Sequence, residues 1–515
     1  MAGVVHLVGA GPGDPGCLTL RGRECLAAAD VVVYDALANP ALLSFTPPGA
    51  ERIFAGKHGA GPHLLEQSEI NDLLIARGRA GKRVVRLKGG DPFLFGRGGE
   101  EAEALAAAGV RFEVVPGVSS AYAVPAFAGI PVTHRDWVSG VTVLTGHEAH
   151  DKRAHRVRWD QIACAGNTVV LLMGLRQMSH NLERLLAAGL APTTPAAAIR
   201  WGSMPGQEVV RATAGTLAAE VARRGMQPPV TVVIGEVVEL REALQWFEQR
   251  PLFGRRILVT RASAQAPAIA RLLGEEGASV VECPAIEIAP PETSEPLDDA
   301  IDHLERYRWV VFTSVNGVER FFARLDERGG DVRRLGAARI AAIGPETARA
   351  LRRRYLHADL VPANYRAEDL LDAFAAESLD GCRVLLPRAA GARSILPEQL
   401  RARGAIVDEV VSYRSIKPGS SRDALRAALD DARALDCLTF TSSSTVTHFL
   451  DLVDEVDGAQ GRARLSDAAV ACIGPVTAAT AREAGLRVDV VPAEYTIPAL
   501  ARAVVDHFMG REGAR

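Results

Sequence analysis

The chain has 515 residues, too many for one hydrophobic core, so roughly three domains of ordinary size are expected. Apolar residues make up 48% and charged residues 23%, and the net charge is −3. This excludes a global field that would favour nucleic acid or an anionic membrane. The apolar runs, such as Thr168–Met173, are strand-sized rather than membrane-spanning.

The first residues run straight into a strand with no basic start or cleavage site, which predicts a protein that is not secreted. Seven scattered cysteines, with no CxxC and no histidine cluster, predict a reducing, cytoplasmic setting and no metal. Strands alternate with helical patterns throughout, so the expected architecture is α/β with mostly parallel sheets.

Val4–Val8 is the first strand, and Gly9-Ala10-Gly11-Pro12-Gly13-Asp14-Pro15-Gly16 follows it. With Asp35 about twenty residues on, this imitates a dinucleotide fingerprint. The imitation fails: Pro12 and Pro15 lack the amide hydrogens that a pyrophosphate at a helix N-terminus needs. Val31–Asp35 ends a second strand on Tyr34-Asp35, and Gly56-Lys57 follows a third. Read alone, Asp35 is either a strand-end turn former or an acid at a cleft. Lys57 is either a solvated lysine or a proton donor.

The run Val84–Glu101, VVRLKGGDPFLFGRGGEE, begins as a buried strand and breaks at Gly89-Gly90-Asp91-Pro92. Adjacent glycines let backbone approach a ligand, and Glu100 and Glu101 suit the positive end of the following helix. Further along come Pro116-Gly117-Val118-Ser119-Ser120, Gly129-Ile130-Pro131-Val132-Thr133-His134-Arg135, Leu172-Met173-Gly174-Leu175, and Pro228-Pro229 before the strand Val230–Glu236. Met173, taken by itself, is more often a core residue than a ligand contact.

These motifs, in this order, resemble the tetrapyrrole methylase family from Val4 to about Phe247. The Val84–Glu101 string resembles the S-adenosylmethionine loop of uroporphyrinogen-III C-methyltransferase. The resemblance implies two small α/β subdomains, with S-adenosylmethionine as methyl donor and S-adenosylhomocysteine as product. It implies Pro12, Gly89, Gly90, Asp91, Leu94, Ser119, Ser120, Met173 and Gly202 as contacts to that donor, with Asp35 as proton acceptor and Lys57 as proton donor. Arg86, Lys88, Arg97 and Arg135 are candidate anchors for substrate carboxylates, ordinary surface pairing being the alternative. The chain departs from the family in the loop His58–His63, one residue longer than expected, and around Trp201–Pro205.

Phe247–Gly254 reads as a short Pro/Gly linker, after which a strand starts at Arg256–Thr260. Beyond it the chain repeats itself at a nearly constant spacing of about 130 residues. GRRILVTRA at Gly254 returns as GCRVLLPRA at Gly381, and Phe312-Thr313-Ser314 as Phe440-Thr441-Ser442. AAIGPETA around Gly344 returns as ACIGPVTA around Gly474, and Val361–Tyr365 as Val491–Tyr495. A duplicated α/β unit folded as two lobes follows. The strand-end turns Thr313-Ser314-Val315-Asn316, Ser442-Ser443-Ser444 and Gly474–Thr477 lie where open α/β sheets bind ligands, though each hydroxyl is equally a helix N-cap.

The order of these repeats resembles uroporphyrinogen-III synthase over about Gly254–Met509. That family has two flavodoxin-like lobes joined by linker strands, here Val280–Ile288 and Ile406–Ile416. The resemblance places Tyr413 at the cleft, assisting departure of a hydroxyl; a packed linker tyrosine is the alternative. Arg261, Thr313, Ser314, Asn316, Ser442, Ser443 and Thr477 are then candidate substrate contacts, with Arg388 and Arg393 as further cations.

The expected whole is a tetrapyrrole methylase fold followed by a two-lobed flavodoxin-like synthase module. The boundaries are 1–248 for the methyltransferase, 249–254 for the linker and 255–512 for the synthase. Lobe A comprises 255–279 plus 417–512, and lobe B 289–405. The implied activity is cyclisation of hydroxymethylbilane to uroporphyrinogen III with inversion of ring D. Two methyl transfers, to carbons 2 and 7, then give precorrin-2, on the way to sirohaem or cobalamin. With no dehydrogenase/chelatase module before it, the chain is expected to stop at precorrin-2. The alternative is a later precorrin methyltransferase fused to a non-catalytic ligand sensor. Partners are expected to be small tetrapyrroles, neither nucleic acid nor membrane, with a homodimer formed through the methyltransferase module.

Overall fold

The computed structural model describes residues 3–56, 65–146, 157–261, 266–362, 367–392, 394–416, 418, 421–431 and 433–512. Two compact units are present: Met1–Arg255 with Leu273–Ser279 and Arg511–Arg515, and Arg256–Leu272 with Val280–Gly510.

The first unit holds two five-stranded sheets. The first is built from β1 (Val4–Gly9), β2 (Val31–Tyr34), β3 (Glu51–Phe54), β4 (Arg83–Lys88) and β5 (Phe112–Val115), in the order β3-β2-β4-β1-β5. All its ladders are parallel. Its central strands are buried on both faces, which is why they read as unbroken Val/Leu runs rather than alternating ones. The second sheet contains β6 (Val141–Thr145), β7 (Thr168–Leu172), β8 (Pro195–Arg200), β9 (Glu208–Thr213) and β10 (Val230–Ile234), ordered β6-β7-β10-β8-β9. Only β6 and β7 pair in parallel; the other three ladders are antiparallel.

The linker Phe247–Gly254 behaves differently from its composition. Phe247 and Leu252 are buried, and Phe247 packs edge-on against Phe127 and Phe253. Arg250 lies over the rings of Trp246 and Phe247. This segment is therefore pinned to the first unit by aromatic contacts.

The second unit carries the remaining ten strands. β11 (Arg256–Val259), β12 (Ser279–Glu282), β18 (Cys437–Phe440), β19 (Ala469–Cys472) and β20 (Val488–Val490) form a sheet ordered β12-β11-β18-β19-β20. β13 (Glu287–Ala289), β14 (Trp309–Phe312), β15 (Arg339–Ala342), β16 (Arg383–Ala389) and β17 (Ile406–Ile416) form another, ordered β13-β17-β16-β14-β15. The internal repeat is visible in these orders. Strands β17, β16, β14 and β15 sit as β12, β11, β18 and β19 do. A parallel bridge from Ala341 to Leu360 stands where β20 lies in the other lobe. The strand expected over Val280–Ile288 is two strands, interrupted at Cys283–Ile286, with Pro284 in the break. Its second half, β13, pairs antiparallel with β17.

Candidate functional site

In the first unit, five chain segments converge on the N-terminal end of the helix Ser120–Phe127. The loop after β1 pairs with the loop after β4: Gly11 N donates to Gly90 O at 3.2 Å, and Gly90 N to Gly11 O at 2.8 Å. A Cβ on Gly9 would lie 2.4 Å from Gly117 Cα and 2.6 Å from Gly90 O, so only glycine allows these three backbones to meet. Gly90 has φ +68, and a Cβ there would find nothing nearer than Ser120 N at 3.8 Å, so this face of the loop opens onto space. Gly89 packs against Leu37 in the turn after β2, which brings the Asp35 segment alongside.

The second subdomain closes the same region through the turn after β8. Asp14 N donates to Ser203 Oγ at 3.1 Å, and a Cβ on Gly202 would lie 2.4 Å from Val124 Cγ1. Met173, Trp201 and Ser203 all hold positive φ, a conformation that costs a residue with a Cβ on the order of 1 kcal/mol or more. Met173 is 54% exposed directly after β7 and is not a core residue. Leu94 does pack into a small apolar cluster with Ala121, Val170 and Leu172. Pro12 and Ser120 are half-buried, and Ser119 is buried as the cap of its helix, its Oγ accepting from Ala121 N at 3.2 Å.

Asp91 braces the loop. Its Oδ1 accepts from Phe93 N at 2.8 Å and Leu94 N at 3.1 Å, and its Oδ2 accepts from Gly117 N at 2.9 Å. These amides tie the Gly89-Gly90 loop to the segment before the helix. Sequence reasoning missed Gly117, Ser203 and Leu37; the glycine before Val118-Ser119 was a usable signal for the first, whereas the other two declare themselves only in three dimensions.

Of the cations, Arg97 is exposed and paired with Glu100 at 2.7 Å, and Arg135 is exposed on the turn His134–Val138. Arg86 and Lys88 are not surface anchors. They are 2% and 3% exposed and share the fully buried Glu101. Burial works against the Arg86 charge, but Asp35 and Glu101 more than offset it, so its pKa is raised. For Lys88, burial and the neighbouring Arg86 prevail and the pKa is lowered. Lys57 lies outside the described residues.

In the second unit, Ser314, two residues after β14, caps the helix Val315–Glu327, accepting from Gly317 N at 3.0 Å. The same oxygen is 3.0 Å from the hydroxyl of Tyr413, so capping and a second contact coexist. Thr313 and Asn316 flank it, half-buried. Tyr413 is buried on β17, and a register shift brings it opposite Ala389. The extra residue of that bulge is Ser412, whose Oγ donates to Arg388 O at 3.3 Å. Arg388 is itself buried and paired with Glu409 at 3.0 Å.

In the other lobe, Ser442 caps the helix Ser443–Val456 in a capping box with Thr445. Ser443 Oγ accepts from Thr480 Oγ1 at 2.8 Å, a partner not foreseen in the sequence. Thr477 is buried in the helix Pro475–Glu483. Arg261, at the end of β11, has its pKa lowered by burial, opposed by Glu346 in the first turn of Pro345–Arg352. Arg393 lies outside the described residues. Among the described residues no His/Cys/Asp/Glu cluster fits a metal ion, and no helix is long and apolar enough to cross a membrane.

Two family models match the chain: tetrapyrrole (corrin/porphyrin) methylases over residues 4–218 and uroporphyrinogen-III synthase HemD over residues 267–502. A porphyrin biosynthesis protein HemD of Ruminiclostridium josui is 37% identical over 485 residues, 94% of each chain. An S-adenosyl-L-methionine-dependent uroporphyrinogen III methyltransferase of Methanosarcina barkeri is 48% identical over 242 residues, 47% of this chain and 94% of that protein. Among solved structures, a uroporphyrin-III C-methyl transferase of Thermus thermophilus with S-adenyl homocysteine is 37% identical. It covers 46% of this chain and 99% of its own, at a TM-score of 0.40.

Proposed function

Since the chain belongs to the tetrapyrrole methylases over its first half and to the uroporphyrinogen-III synthases over its second, we propose a division of labour among its residues for two consecutive reactions. The protein is a bifunctional tetrapyrrole enzyme. It cyclises hydroxymethylbilane to uroporphyrinogen III and methylates that product with S-adenosylmethionine to precorrin-2.

The observation that carries the methyl-transfer site is the meeting of the Gly9, Gly90 and Gly117 backbones beside an open face at Gly90. Leu37, Phe93, Met173 and Trp201, on the turns after β2, β4, β7 and β8, are exposed, and together with main-chain groups they offer a mixture that fits a purine, a ribose and an amino acid. When bound, S-adenosylmethionine supplies an electrophilic sulfonium methyl. The chain's part is alignment, which in well-oriented cases lowers barriers by roughly 7–11 kcal/mol. Methylation leaves the pyrrole ring cationic, and Asp35 accepts the proton that restores neutrality. Lys57 is the counterpart proton donor. Asp91 keeps the loop in shape while offering the outer lone pairs of its carboxylate to the ligand.

In the synthase half, Tyr413 assists departure of the terminal hydroxyl of the bilane, and Ser314 orients the phenol. Thr313, Asn316, Ser442, Ser443 and Thr477 supply hydrogen bonds that fold the chain-like substrate, and Arg261 meets a carboxylate; in the methyltransferase half Arg97 and Arg135 meet carboxylates of its own substrate. We place the protein in the cytoplasm and read it as a homodimer paired through its methyltransferase half.

The purified protein, given hydroxymethylbilane and S-adenosylmethionine, is expected to yield a dimethylated type III product, identified by isomer analysis and mass spectrometry. Recovery of the type I isomer alone, or an unmethylated type III product, overturns the corresponding half of this reading.

A further inference from the structure

Directly behind Asp35 lies a charge cluster that the two reactions above leave unexplained. Arg86 and Lys88 are two residues apart on β4 and so project from the same face of the sheet. Glu101, on the helix Gly98–Ala107, sits between them. Its Oε1 accepts from Arg86 Nε at 3.1 Å, from Lys88 Nζ at 2.8 Å and from Gln67 Nε2 at 3.3 Å. The far end of the guanidinium reaches outward. Arg86 Nη2 donates to Asp35 Oδ1 at 2.5 Å, and Nη1 to the carbonyl of Val33 at 3.4 Å. Arg86, Lys88 and Glu101 are buried, whereas the Asp35 side chain is 28% exposed at the rim.

We propose that Arg86 is a positioning residue for proton removal after methyl transfer, fixing the Asp35 carboxylate in place, and that Glu101 and Lys88 fix Arg86. The proposal rests on Asp35 being the proton acceptor.

Burying charge costs several kcal/mol per ion, and apolar side chains of similar volume would fill the space with less penalty. The arrangement becomes intelligible if its outward end has a task. Only a guanidinium can bond Glu101 through Nε and Asp35 through Nη2 at once; a lysine has a single nitrogen to offer. The three buried groups carry two positive charges and one negative, so the cluster presents a net positive charge to Asp35. Asp35 acts electrostatically on both Arg86 and Lys88 from β4, and Glu101 acts on the same two cations from its helix.

In the reaction, a ring carbon bonds to the methyl as the S–C bond breaks, both electrons leaving with sulfur as a neutral thioether. The cationic ring then releases a proton to Asp35, and the bonding pair returns to the ring. Arg86 stays protonated throughout, so its role is orientation and field rather than transfer.

The test compares Arg86→Lys, Glu101→Gln and Asp35→Asn in the full-length protein. It uses steady-state methylation of uroporphyrinogen III, separating kcat from KM, with thermal melting as a check on folding. In Arg86→Lys, KM for S-adenosylmethionine should be unchanged and kcat should fall about 10- to 100-fold. Glu101→Gln loosens the inner end of Arg86, so kcat should again fall with KM unchanged; it also decides the matter if Arg86→Lys does not fold. Wild-type kcat in a folded Arg86→Lys, or in Glu101→Gln, overturns the positioning role. Full activity in Asp35→Asn overturns the acceptor assignment itself, whereas an inactive Asp35→Asn beside an unperturbed Arg86→Lys sinks only the present proposal.

Discussion

Tyr413 depends on a backbone irregularity as much as on its own ring. The bulge at Ser412 turns the phenol so that its hydroxyl meets Ser314 across the intervening β16. Replacing Tyr413 with Phe keeps the buried ring and leaves Ser314 bonded to Gly317 N, so the helix cap survives. The expected stability loss is no more than about 1 kcal/mol. If the hydroxyl assists leaving-group departure, synthase turnover falls about 100-fold, with the type I isomer rising in the product. Stopped assays with isomer separation read both effects, and a stable variant with wild-type turnover removes Tyr413 from the mechanism. At this same scale the sequence was least legible. Arg86 and Lys88 read as surface cations because charged side chains are so rarely buried. Glu101 read as a helix-dipole partner, yet it is fully buried as their counter-ion.

At the scale of elements, strand ends were legible because short apolar runs stop at Gly, Ser or Thr, as they do after Lys88, Phe312 and Phe440. The break inside Val280–Ile288 was harder, since VVECPAIEI stays apolar on both sides of Pro284 and alternation alone does not mark a turn. The aromatic pinning of Phe247 was illegible for another reason: Pro251 and Gly254 advertise a linker, and the partner Phe127 is far away in sequence. Close approach of elements also leads to a prediction. The turn after β8 meets the helix Ser120–Phe127 only because Gly202 has no side chain. Gly202→Ala drives a methyl into Val124, at a cost of about 1–3 kcal/mol in stability. It should weaken S-adenosylhomocysteine binding while sparing the synthase reaction, since the change is confined to the first unit. Calorimetric titration beside a synthase assay checks this, and unchanged affinity would show that the turn lies off the ligand's path.

For the whole molecule, most of the shifted groups push stability in one direction on the acid side; Glu282, whose pKa burial raises, works the other way. Burial lowers the His6 pKa below its ordinary value, so folding opposes its protonation, and this penalty begins as pH falls through about 6.5. Carboxylates come next. Arg77 holds Glu51 below the usual range, Arg21 does the same for Glu113, and Arg324 for Asp298. Each folded-state pKa lies below the unfolded one. The contribution is therefore fully present above the unfolded pKa of about 4 and is lost as pH drops through the depressed folded values. Because these pairs sit at the surface, solvent and salt screen them, and each contributes little alone. The melting temperature of the full chain should stay nearly level from pH 8 to 7, slip slightly through pH 6 and fall steeply below pH 4. Added salt should flatten the lower part of the curve more than the step near pH 6, because burial rather than a surface pair governs His6. Replacing His6 with Asn should erase that upper step and leave the acid fall in place; a step that persists in the variant would assign it to another group.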